Sequence, residues 1–196
     1  MDLVPRVTNI LTKPKQEWPV IASESIDVAM LYKEYIVLLA AVPAICSFIG
    51  MTVIGVPIPF FGTMRVGVVS GLTGLVVRYV LSLAAAYVAA IIIEKLAPTF
   101  QSQGSTIHAL KLVAYASTPA WVAGVLSLFP PLVPLTILAG LYGVYLFYLG
   151  LPHLMKTPTD KVIPYMIVSA IVIFVMYLIV RAVTAATAGI GMATHF

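Results

Sequence analysis

Between residues 36 and 181 the chain offers five long apolar runs, and the short segments between them hold nearly every charge. A run of about 18 or more apolar residues can cross the roughly 30 Å hydrocarbon core as a helix. The pattern predicts an all-α, polytopic membrane protein with five transmembrane helices. Span one covers roughly Ile36 to Gly55 and contains Pro43, which should kink it. Span two lies within Val66 to Ile93, and span three covers about Leu112 to Phe129 with Pro119 inside. Pro130 and Pro131 make the next turn, and span four runs to about Leu151. Span five starts near Val162, reaches Arg181, and a small-residue tail to Phe196 prolongs it. The loop from Val56 to Gly62 is too proline-rich to stay helical and aromatic enough to rest at the interface.

Ahead of these runs the periodicity changes. Residues 1–33 read as an interfacial, cytoplasmic segment, and 34–196 as the five-helix domain. Leu3, Val7, Ile10 and Leu11 fall at helical spacing with Arg6, Asn9 and Lys13 off that stripe. This predicts a short amphipathic helix in the headgroup layer. Pro14, between Lys13 and Lys15, ends it, and Trp18 is expected to anchor at the interface. Ser25 and Asp27 mark the start of a helix that feeds span one.

Composition agrees with lipid as the solvent. Charged residues are 9% of the 196, hydrophobic residues 61%, and mean hydropathy is +1.07. A soluble domain usually carries about 25% charged residues, so there is too little polar surface to cover a core in water. No signal-peptide pattern precedes span one, which is expected to serve as an uncleaved targeting signal. The net charge of +4 forms no basic stripe of the kind nucleic-acid binding needs. It reports orientation instead. With the N-terminus inside, the inner segments hold Arg6, Lys13, Lys15, Lys33, Lys95, Lys111, Lys156 and Lys161, against Arg65 and Arg181 outside. Basic residues near span ends stay cytoplasmic, so the expected topology is N-terminus in, C-terminus out.

Helix packing in lipid relies on close backbone approach. Gly67 and Gly71, then Ser82, Ala86 and Ala90, supply it in span two; Ala116, Ala120 and Gly124 in span three; Gly140, Gly143 and Gly150 in span four. These seams are expected to hold the bundle together, with a homo-oligomer face as the alternative.

Few residues carry candidate chemistry. Arg78 stands inside span two, where a charge costs about 2.5–3.5 kcal/mol on insertion scales and so marks a pathway or a partner. The geometric alternative is that Arg78 snorkels, since Val66 to Ile93 would be roughly 42 Å long as a helix. Tyr142, Tyr145 and Tyr148 share a stripe of span four that is expected to face the bundle interior. His108, His153 and His195 fall in expected loops or the tail and lack metal-site spacing. Cys46 is the single cysteine and reads as a small hydrophobe. No catalytic constellation, metal site or cofactor is expected.

Three stretches look familiar. The first is Arg6-Val7-Thr8-Asn9-Ile10-Leu11-Thr12-Lys13-Pro14 followed by Glu17-Trp18; the second is Tyr115-Ala116-Ser117-Thr118-Pro119; the third is Gly140-Leu141-Tyr142 with Tyr148-Leu149-Gly150-Leu151-Pro152. With five spans, the chain resembles the Ypt-interacting-protein (Yip) family, most closely its short bacterial inner-membrane members. The resemblance implies a cytoplasmic N-terminus, five spans and multi-pass residence in the cell inner membrane. Eukaryotic members associate with Rab-type GTPases, and the Tyr-x-x-x-Pro pattern of their third span matches Tyr115 and Pro119. Their long cytoplasmic arm and Asp-Leu-Tyr-Gly-Pro element have no counterpart here, so Rab-type GTPase binding does not carry over.

The expected function is non-enzymatic membrane organisation or recruitment of other membrane or cytoplasmic proteins. Its surfaces would be the N-terminal segment and the loop from Pro152 to Pro158. The competing expectation is a small transporter, channel or lipid-handling protein that uses Arg78, the kinks at Pro43 and Pro119, and Tyr145 as a polar path.

Overall fold

A computed structural model describes the backbone of residues 2–58, 60 and 62–193, and of these the side chains as far as residue 186 apart from residue 58. Two short helices come first: α1, Leu3–Thr12, and α2, Pro14–Ser23. They meet at Lys13, and Pro14 opens α2, where its missing N–H costs nothing. The first span is one continuous helix, Val28–Ile54. It is built from α3 (Val28–Leu31), a π turn, α4 (Val37–Ile49) and a second π turn. Its cap is Asp27, whose carboxylate accepts from the Met30 amide at 2.7 Å.

A β-hairpin then reverses the chain, with β1 (Val56–Ile58) antiparallel to β2 (Gly62–Met64) and Pro57 opposite Thr63. Gly55 and Gly62 take φ of +85° and +82°, conformations that an L side chain resists. The expected interfacial loop is therefore an ordered hairpin; Pro59 and Phe61 lie outside the described residues. The remaining spans are built on α5 (Val68–Leu96), α6 (Thr106–Ala123), α7 (Thr136–Met155) and α8 (Val162–Ala193). Short 3-10 stretches at Gly124–Leu128 and Pro130–Leu135 join α6 to α7. Among the described residues five helices are thus long and apolar enough to cross a membrane, and the chain is an all-α polytopic membrane protein.

The spans alternate in direction. One end of the bundle, here the proximal end, carries α1, α2 and the links around residues 97–105 and 156–161. The distal end carries the β-hairpin and residues 129–135. At the proximal end the links are tied together: the Gln103 amide donates to Met155 O at 2.7 Å and Ser102 Oγ to Thr157 Oγ1 at 2.9 Å.

α6 is the central helix, packed on α7, α5, α4 and α1. It is also the most buried span and the least hydropathic of the five. The two facts have one cause. A lipid-facing helix must be apolar around its circumference, whereas a central one can carry Lys111, Tyr115 and Thr118 against protein partners. The small-residue seams do close contacts: a Cβ on Gly143 would stand 2.7 Å from Ala116 O, and one on Gly124 would stand 2.6 Å from Pro43 Cβ. Gly71 packs on Phe48 and Thr52, while Gly67, Gly74 and Gly140 face open space.

Candidate functional site

The densest polar arrangement sits where α1 and α2 fold back onto α6 and α7. Ile10 is fully buried, with Leu3, Val7 and Leu11 packed beside it, as the helical stripe requires. Arg6, expected on the polar side, is instead 8% exposed. Its Nη1 donates to Glu17 Oε1 and its Nη2 to Glu24 Oε1. A buried cation needs a partner of opposite charge to stay charged, and α2 supplies two. The guanidinium also lies 5.9 Å from the centroid of the Tyr115 ring.

From the other side α6 reaches up with Lys111. The side chain is 2% exposed, and Nζ donates to Ile21 O at 2.9 Å and to Glu24 O at 2.6 Å. Those carbonyls belong to the end of α2, where the helix dipole is negative and no intrahelical donor remains. Tyr142 does the same for α1, donating from its phenol to Leu11 O at 2.8 Å. Two cations and two carboxylates thus share one partly dry locus.

An aromatic stack underlies the charges. Trp18 meets Tyr115 edge to face at 6.2 Å, and Tyr35 lies 4.6 Å from Tyr115. The Tyr35 hydroxyl hydrogen-bonds Thr118 Oγ1 at 2.7 Å. Gly150 makes room for the indole: a Cβ there would stand 2.8 Å from the Trp18 ring and 2.6 Å from Leu112 Cδ1. The expectation that Trp18 anchors at the headgroups is therefore corrected. It is fully buried, with α6 and α7 on its faces, because Gly150 leaves an indole-sized slot. Trp18 Nε1 and Arg6 Nε have no hydrogen-bond partner among the described residues.

Of the residues singled out from sequence, Trp18, Tyr115 and Gly150 converge on this locus. Pro119 is buried one residue beyond Thr118, and Pro14 is buried at the start of α2. Pro152 is exposed on α7, which runs on to Met155 rather than ending near Leu151. His108 and His153, expected in loops, are helical. His108 Nδ1 lies 2.9 Å from Ser105 Oγ in a capping box, and His153 sits in the last turn of α7. His195 lies outside the described residues.

Of the tyrosine stripe, Tyr142 packs against the core, and the other two do not look into the bundle. Tyr145 and Tyr148 are 41% and 40% exposed. The inward face of α7 belongs to Gly143, Leu146, Phe147, Gly150 and Leu151. Tyr145 touches Tyr142, and Tyr87 on α5 is similarly exposed. Arg78 lies elsewhere, half-buried, with Nη1 donating to Ser47 Oγ on α4 at 3.0 Å. Arg78 and Tyr145 are not brought together.

Lys111, Glu17, Glu24 and Arg6 were missed as a group. A signal existed on α6, where Lys111, Tyr115 and Thr118 repeat at steps of four and three and so mark one polar face. Its partners are about ninety residues away in sequence, and no local pattern announces them.

The fold and this locus define the class: a five-span helical membrane protein whose N-terminal helical hairpin is locked onto its central helix. Comparison with known proteins is specific. The Yip1 domain matches residues 8–181. The inner membrane protein YohC of Escherichia coli strain K12 is 30% identical over 159 residues, 79% of this chain and 81% of that protein. YohC from the E. coli O6:H1 strain CFT073 matches to the same degree. The chain belongs to the Yip1-domain family. No solved structure matches it.

Proposed function

We propose that the chain organises or recruits other proteins at the inner membrane, holding partners rather than performing a reaction, with α1 and α2 as the contact surface. The carrying observation is the charge-locked hairpin. Arg6, Lys111 and the two carboxylates spend their polar capacity on fixing α1 and α2 in place, and a segment so fixed presents a constant surface. That surface includes an open cleft of about 570 Å³, lined among others by Asp2, Asn9, Glu24, Ser25 and Met30. The proximal end faces the cytoplasm in this reading, supported by eight lysines and arginines gathered there. The relative's name places YohC in the inner membrane, and the same residence is proposed here.

The test is photo-cross-linking in native membranes, with a probe at Asn9 or Val20 and a control at lipid-facing Ile171, which is 57% exposed. A discrete protein adduct from the cleft positions, absent from the control, is the expected result. Adducts with lipid and with the chain itself alone would overturn it.

A further inference from the structure

The turn between α1 and α2 lies far down the bundle. Leu11 O meets the Tyr142 phenol, thirteen residues from Met155, so the turn stands about 20 Å below the proximal end of α7. A second contact agrees. Tyr35 on the first span bonds Thr118, twelve residues into α6 from Thr106 and about 18 Å along it. Exposed Lys33 stands two residues before Tyr35. At the turn itself Lys13 and Lys15 flank Pro14, and both side chains are exposed. Among the described residues neither forms an ion pair, because Glu17 and Glu24 are held by Arg6.

On α8 the surface is apolar over the same depth. Ile163, Ile167 and Ile171 are 51% to 57% exposed and lie within about 14 Å of Val162, where the helix starts. That start is level with the end of α7. Tyr165 stacks on Phe100 at 4.7 Å, and the Met155 carbonyl accepts from Gln103 in the same link. The fifth span is also the most hydropathic of the five, so lipid chains must cover these isoleucines.

A flat boundary cannot serve both sides. The hydrocarbon core is about 30 Å thick, so a boundary level with Val162 would put Lys13 past the midplane. Exposed charge at that depth is costly, and snorkelling and local thinning of the bilayer relieve it. A boundary level with Lys13 would instead strip the α8 isoleucines of lipid.

We propose that the proximal headgroup layer dips beside α1 and α2, and that Lys13 and Lys15 seat the phosphate of an anionic phospholipid at the bottom of the dip. The depth of the turn less the reach of a lysine makes the dip on the order of 15 Å. Charge selects the occupant. Two outward lysines lack a carboxylate, and a lipid phosphate is the anion that the membrane itself brings to them. The turn is outside the cleft that Asp2, Asn9 and Glu24 line, so this site and the recruiting surface can fail independently.

The test uses the full chain with Cys46→Ala and one new cysteine labelled with bimane, in vesicles of phosphatidylcholine and phosphatidylglycerol. The cysteine replaces Thr12 or Gln16 at the turn, both exposed, or Ile171 on α8. A nitroxide on the lipid headgroup should quench the two turn labels more than a nitroxide halfway down the acyl chain does. The Ile171 label should show the reverse order. One order at all three positions would overturn the dip. For the phosphate, unlabelled phosphatidylglycerol should displace headgroup-nitroxide phosphatidylcholine from the Gln16 position better than unlabelled phosphatidylcholine does, by roughly fivefold for each lysine. Lys13→Gln with Lys15→Gln should remove that preference, and Lys33→Gln should keep it. A preference that survives the double change, or that Lys33→Gln also removes, would overturn the site. Displacement by added inorganic phosphate would assign the lysines to a free anion and overturn the lipid as occupant.

Discussion

Gly150 and Arg6 illustrate how much one position carries. The Trp18 indole rests where a Cβ on Gly150 would be, so Gly150→Leu must either expel the tryptophan or push α7 off α6. Overpacking of this kind costs about 1–3 kcal/mol. Thermal unfolding in detergent should show the variant less stable, with Trp18 fluorescence shifted to the red as the ring meets solvent. An unshifted spectrum would mean the slot is looser than described. For the ion pair, Arg6→Met leaves buried Glu17 without its counter-charge and should cost about 3–5 kcal/mol, while Glu17→Leu leaves Arg6 paired with Glu24 alone and should cost less. Combined, the two changes remove both charges and should recover part of that loss, since Glu24 keeps its contact with the surface. A double variant as unstable as the sum of the singles would show that the pair is not the coupling that holds α1 to α2.

At the scale of elements, α1 and α2 are the informative case. Each is ten residues long, too short to be stable alone, so docking must keep them folded. Lys111 is the principal tie, because it holds the end of α2. Lys111→Met should leave the Ile21 and Glu24 carbonyls without that donor, at about 1–3 kcal/mol. Trypsin should then cut after exposed Lys15 roughly tenfold faster in the solubilised protein. An unchanged rate would shift the docking energy to the Trp18 slot. The helical stripe of α1 was legible because apolar spacing is a local property. Where Arg6 pointed was not, because its partners come from another helix. The tyrosine stripe of α7 failed for a related reason. Three phenols at helical spacing define a face but not which way it turns, and the glycines on the neighbouring face pack closer to α6.

The whole molecule turns on the alternation of five spans, which puts the start of α1 and the far end of α8 at opposite ends of the bundle. Reporter fusions should find the C-terminus outside and the N-terminus inside, because the lysine-rich links all gather at the proximal end. Both ends on one side would remove the basis for a cytoplasmic recruiting surface. The same arrangement places the distal arginines, Arg65, Arg78 and Arg181, in a half of the molecule without an Asp or Glu.

Much of this follows from the chain alone. Long apolar runs determine the solvent, the helical class, the number of spans and the positions of the breaks, since hydrocarbon forces each crossing segment to satisfy its own backbone hydrogen bonds. The order of Trp18, Tyr115, Pro119 and Gly150 along the chain was enough to suggest the family. Only the tertiary structure decided that Trp18 is core rather than anchor, that Lys111 holds α2 rather than facing water, and that Tyr145 faces outward. Those outcomes depend on which surfaces meet, and in lipid one apolar face resembles another until a glycine or a buried charge distinguishes them.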